Sequence, residues 1–140
     1  MTPETHVRIM GLLMLALAAA NAWLPARLRW GEELRRLSAL NRQVFVVHAG
    51  FVVLITALLG FLSLAYAREL LERTALARAV VIGLGVFWGA RFLVQVVVCA
   101  KASWRGTGGD AVLQFLFAGL CAYFVAVCAW AVLHQGGGVS

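Results

Sequence analysis

Acidic side chains are scarce in this chain. Six Asp and Glu stand against twelve Lys and Arg in 140 residues, and none of the six falls inside a long apolar run. That leaves no buried carboxylate pair for acid–base catalysis. It also leaves none of the acidic motifs with which a membrane-face transferase would hold Mg²⁺, since Glu32-Glu33 alone is not one. Proline is nearly absent: Pro3 and Pro25 both stand at the edges of apolar segments, so no span need be kinked. The three cysteines contain no C-x-x-C, which argues against a thioredoxin-like redox site. Cys121 and Cys128 on one helix would be about 10.5 Å apart, too far for a disulfide. They read as small apolar packing residues, as does Cys99. The three histidines form no H-E-x-x-H or H-x-x-E pair, so no metal site is expected. His6 and His134 fall at the membrane face opposite His48, which argues against bis-histidine haem ligation within one chain. Gly106, Gly108 and Gly109 lack the strand and lysine of a phosphate-binding loop. The net charge of +6 sits in short islands and not on a compact basic domain, so nucleic acid is not an expected partner.

Apolar residues make up 63% of the chain, more than so small a soluble domain could bury. They collect in four runs: Val7 to Leu24, Val44 to Ala67, Ala77 to Ala100 and Ala111 to Leu133. Each has about the 20 residues that cross a hydrocarbon core as a helix, and lipid requires backbone polar groups to bond internally. The expected fold is therefore all-α: a single integral membrane domain over residues 1–140, folded as an up-down bundle of four transmembrane helices. The linker from Trp30 to Arg42 places Leu34, Leu37 and Leu40 along one face and suits a short interfacial helix, with a solvated loop as the alternative. Arg8, the apolar run Ile9 to Ala20 and the sequence Ala20-Asn21-Ala22 also read as a leader cleaved after Ala22. Glu4 and a single arginine make a poor leader start, so retention of the first span is the preferred reading.

The loops after spans one and three hold Arg27, Arg29, Arg35, Arg36, Arg42, Lys101 and Arg105. The N-terminus and the loop after span two hold Arg8, Arg68, Arg73 and Arg78. The positive-inside rule then puts the first set in the cytoplasm and both termini outside.

The informative residues are those that lipid should exclude. Arg91 lies near the middle of span three, where a charge costs ~2.5–3.5 kcal/mol on insertion scales. Trp88, Gln95 and Cys99 extend its helical face, and this stripe is expected to point into the bundle. Gly85 and Gly89 on a neighbouring face would let another helix approach. Span two places Asn41, His48, Thr56 and Ser63 within a sector of about 80°. Span four carries Asp110, Gln114, Cys121, Cys128 and Gln135 along one stripe, and span one contributes Asn21. By depth, Asn21, His48, Gln95, Gln114 and Arg91 fall in the half of the membrane nearest the loops after spans one and three. The candidate ligand-binding residues are accordingly Arg91, Gln95, His48, Asn21, Gln114 and Trp88, and no catalytic residue is identified.

The stretch Asn41-Arg42-Gln43-Val44-Phe45-Val46-Val47-His48-Ala49-Gly50-Phe51, with Trp88-Gly89-Ala90-Arg91-Phe92-Leu93-Val94-Gln95, resembles a group of small bacterial four-helix membrane proteins. The resemblance implies a bacterial inner-membrane location and no particular activity. In layout alone the chain is similar to DoxX-like proteins. These readings converge on a non-enzymatic accessory or binding protein, its partners the bilayer and an anionic lipid or small molecule. A homo-oligomer or a membrane-protein partner also fits. No cofactor is expected. The alternatives are a redox or quinone-linked enzyme or subunit, which would bring haem or quinone, and a small transporter, which would need to oligomerise.

Overall fold

Among the described residues, hydroxyl side chains start α-helices at three places. Thr2 Oγ1 accepts from the Thr5 N–H (3.3 Å), Ser38 Oγ from the Asn41 N–H (3.4 Å), and Thr74 Oγ1 from the Ala77 N–H (3.1 Å). Each satisfies one of the donors that a helix leaves unpaired at its first turn. The computed structural model describes residues 2–27, 30–102 and 108–136. In chain order these form α1 (Pro3–Arg27), α2 (Trp30–Glu33), α3 (Ala39–Ala65), α4 (Ala75–Ala102) and α5 (Gly108–Gly136). Short 3₁₀ turns occupy Leu34–Arg36 and Glu69–Leu71. Four segments are long and apolar enough to cross a membrane: Pro3–Trp23, Ala39–Ala65, Ala75–Val97 and Gln114–Gly136. The all-α, four-span reading therefore holds, and the described residues contain no strand.

Some boundaries differ from expectation. The linker helix is reduced to α2 and the 3₁₀ turn that follows it. Pro25 lies inside the last turns of α1 instead of beyond its end. Having no N–H, it removes the usual helical donor to the Asn21 carbonyl, but it falls after the apolar span ends at Trp23. Gly108 and Gly109 belong to α5, whereas the rest of the expected loop (103–107) and the glycine tail after Gly136 lie outside the described residues.

The chain divides into two compact units, Arg8–Tyr66 and the combination of Met1–Val7 with Ala67–Ser140. In the first, α1 and α3 run antiparallel with their backbones close together. A Cβ placed on Gly11 would lie 2.7 Å from the Leu64 nitrogen and 2.8 Å from the Gly60 carbonyl oxygen. One placed on Gly60 would lie 2.9 Å from Met14 Cβ and 3.1 Å from Leu15 Cγ. Only hydrogen fits at either position, which is how small residues let helices associate in lipid, where no hydrophobic force drives them together. Met10 and Met14 are buried. Thr56 turns its hydroxyl back to the Val52 carbonyl (2.7 Å), so no polar group is left to lipid there. Cleavage after Ala22 would remove the Gly11 and Met14 contacts that α1 makes with α3.

In the second unit α4 and α5 form an antiparallel hairpin. Gly85 faces Cys128, Trp88 packs on Phe124, and Arg91 lies over Phe117, so advancing along α4 means retreating along α5. The unit's other end gathers the chain's N-terminal residues, the 3₁₀ turn and the end of α5. Arg68 Nε pairs with Glu4 Oε1 at 3.1 Å. His6 Nδ1 hydrogen-bonds the Tyr123 hydroxyl at 3.1 Å, and its ring meets Trp130 edge-on at 5.2 Å. Buried Gln135 donates to the Leu70 carbonyl at 2.6 Å. Trp130 stands within two turns of the end of the fourth span, where an amphipathic aromatic suits a membrane boundary, whereas Tyr123 lies near the middle of that span. The start of α1 and the end of α5 thus lie at the same end of this unit as the loop after α3.

Candidate functional site on the α4–α5 hairpin

The buried face of α4 runs through Ala77, Val81, Leu84, Trp88 and Gln95. With 100° between residues, Arg91 lies about 60° to one side of Trp88 and Gln95 about 20°. That offset divides the expected stripe. Trp88 (2% exposed) and Gln95 (7% exposed) turn inward, whereas Arg91 is exposed at the flank of the hairpin. The expectation that Arg91 points into the bundle is corrected accordingly. Cys99's side chain lies outside those described.

On α5, Cys121, Cys128 and Gln135 are buried and Gln114 is half-buried, so the stripe read from their spacing faces inward; Asp110's side chain is outside those described. Phe117 sits on the same stripe. The Arg91 guanidinium lies over its ring, 5.0 Å from the centroid. The Gly85–Cys128 and Trp88–Phe124 contacts set Gln95 level with Phe117, and Gln114 about one turn nearer the connecting segment. Arg91, Gln95 and Gln114 therefore occupy the half of the hairpin nearest its connecting segment, as their depths predict. Trp88 sits one turn deeper, wedged against Phe124 (4.6 Å between ring centroids) and Phe87 (5.3 Å). Its indole nitrogen is buried without a hydrogen-bond partner among the described residues.

Asn21 and His48 belong to the other unit. Asn21 is half-buried, and His48 is exposed on an α3 segment, residues 40–48, that is exposed on every side. The α1–α3 register puts His48 about six residues, or roughly 9 Å, beyond Asn21, so the two are not level. Of the polar stripe read along α3, Thr56 and Ser63 are buried but Asn41 and His48 are not. The α4 glycine pair also divides: a Cβ on Gly85 would meet Cys128 Cβ at 3.3 Å, whereas one on Gly89 would meet nothing within 4 Å. Among the described residues no group of three or more His, Cys, Asp or Glu could hold a metal ion.

Sequence reasoning missed the His6–Tyr123–Trp130 cluster, whose members are far apart in the chain. His6 and Trp130 stand near span ends, where such side chains suit a wet boundary, but Tyr123 lies mid-span and gave no such signal.

No family model matches the chain, and no curated protein or solved structure matches it either.

Proposed function

We propose that this small polytopic membrane protein is a non-enzymatic binding protein of the bacterial cytoplasmic membrane that holds an anionic, oxygen-bearing group at Arg91. The observation that carries this reading is the exposed guanidinium of Arg91, set within an apolar span and resting on Phe117. A cation–π contact offsets about 0.5–2 kcal/mol. An arginine at the centre of a span costs ~2.5–3.5 kcal/mol on insertion scales. A bound anion would supply the difference, and a planar guanidinium can bond two of its oxygens at once. The donor amides of Gln95 and Gln114 would orient it. No metal or cofactor enters this reading.

The test titrates detergent-solubilised wild type and Arg91→Leu with two probes of one chemistry, water-soluble glycerol phosphate and phosphatidylglycerol. At least one should bind wild type, and the substitution should weaken it about tenfold or more. Equal behaviour of the two proteins toward both probes would overturn the reading.

The excess of Lys and Arg in the loops after spans one and three supports a cytoplasmic position for the Arg91 half and an outer position for the termini. Alkaline phosphatase fused after Ser140 should therefore be active and a fluorescent protein at the same place dark. The opposite pattern would put Arg91 toward the outer leaflet.

A further inference from the structure

We infer that the group held at Arg91 is the phosphate of an acidic phospholipid entering sideways from the bilayer. This rests on the anion-binding reading above and adds the ligand's class and its route. The surroundings of Arg91 carry the inference. On the same flank of α4, Phe87 lies one turn before it and Val94 one turn after it, and both are exposed. On α5, Leu116 is exposed next to Phe117. A cation framed by exposed apolar side chains is complementary to a molecule with an anionic head and a hydrocarbon body. A water-soluble anion would have to reach the same place without the apolar half of that match.

Depth agrees. Arg91 lies eleven residues before the end of α4, about 16 Å of helix rise, and the Gly85–Cys128 and Trp88–Phe124 contacts set Phe117 about four residues, or roughly 6 Å, nearer that end. The guanidinium therefore leans from its own Cα toward the connecting end. A 28-residue helix such as α4 is about as long as the bilayer with its headgroups is thick, which sets the guanidinium roughly 4 Å below the hydrocarbon boundary. Intramembrane arginines are accommodated by snorkelling and by local thinning that draws polar groups down to them, and a phosphate displaced in this way would reach Arg91. By sequence the connecting end carries Lys101 and Arg105 against Asp110, a balance that favours acidic headgroups there.

The experiment measures lipid retention by native mass spectrometry of the full chain released from vesicles of phosphatidylglycerol and phosphatidylcholine in equal parts. Glycerol phosphate binding is measured in parallel, and circular dichroism confirms the fold of each variant. Wild type should retain phosphatidylglycerol about tenfold over phosphatidylcholine, Arg91→Leu should lose that preference, and Arg91→Lys should keep part of it. Val94→Trp, which crowds the lateral approach and leaves the cation in place, should lower phosphatidylglycerol retention. Arg91-dependent binding of glycerol phosphate without a phosphatidylglycerol preference would overturn the lipid inference and leave the anion-binding reading standing. Arg91-independence with every probe would overturn both. If Arg91→Leu converts a dimer to a monomer with lipid retention unchanged, the occupant is a second copy of the chain and the inference fails.

Discussion

Gly11→Leu is expected to separate α1 from α3 and to abolish the cooperative unfolding of the Arg8–Tyr66 unit. The reason is what the new side chain would meet. A Cβ at Gly11 stands 2.7 Å from the Leu64 backbone nitrogen and 2.8 Å from the Gly60 carbonyl. Neither is the end of a flexible side chain that could swing away, so the helices themselves must move. Gly11→Ala, with a single methyl, is expected to cost ~1–3 kcal/mol as an overpacked contact. Leucine exceeds what such a displacement can absorb. Gly60→Ala should cost a similar amount, because its Cβ would meet Met14 and the Gly11 carbonyl at 2.9 and 3.0 Å. The double variant should cost less than the sum of the two, since a gap opened for the first methyl also serves the second; residues in direct contact couple in this way.

Glycine-to-alanine changes elsewhere supply the contrast. Gly50, Gly83, Gly89 and Gly119 have nothing within 4 Å of an added Cβ. There alanine should stabilise the helix by about 0.5–1 kcal/mol, through the lost backbone entropy of glycine. Denaturation of each variant in mixed micelles, followed by helical circular dichroism, measures all of these. If Gly11→Ala proves as stable as wild type, the close approach of α1 and α3 is wrong.

The four spans were readable because lipid allows few alternatives: about 20 apolar residues and internally satisfied backbone leave little but a helix. Their ends were not, because the capping groups Thr2, Ser38 and Thr74 stand outside the apolar runs and add polar turns to α1, α3 and α4. Helical periodicity assigned Gln95, Cys121, Cys128 and Gln135 to inward faces, where they are found. It failed for Arg91 because a face read from residues three and four apart is broad, and 60° is enough to carry a long side chain from the core to the flank. His48 failed differently: its sector is right for Thr56 and Ser63, but residues 40–48 of α3 are exposed all round. The Gly11–Gly60 contact was legible in principle. Thr56, Gly60 and Ser63 make a stripe of small residues at helical spacing, and all three are buried. Attention to polarity alone passed over their shared smallness.

Phe124→Ala should be the most costly side-chain truncation in the hairpin, and Trp88→Phe among the mildest. Phe124 is fully buried with the Trp88 ring edge-on to it at 4.6 Å. In a bilayer the separated helices are also in hydrocarbon, so the transfer contribution that dominates in water is small and the lost packing remains. Removing roughly 100 Å³ of side chain at about 24 cal/mol per Å³ of cavity gives a loss of about 2 kcal/mol, before any edge-to-face contribution is added. Trp88→Phe keeps an aromatic ring in that contact. It also deletes a buried N–H that has no hydrogen-bond partner among the described residues, a group whose burial is itself unfavourable. Those two effects oppose, and the net change should stay within about 1 kcal/mol. The pair of measurements decides what Trp88 is for. A small Trp88→Phe effect beside a large Phe124→Ala effect makes Trp88 a wedge that holds α4 on α5 and, through them, holds Arg91 over Phe117. Should Trp88→Phe instead weaken phosphatidylglycerol retention as much as Arg91→Leu does, with stability unchanged, the indole N–H donates to the bound lipid and Trp88 belongs to the site itself.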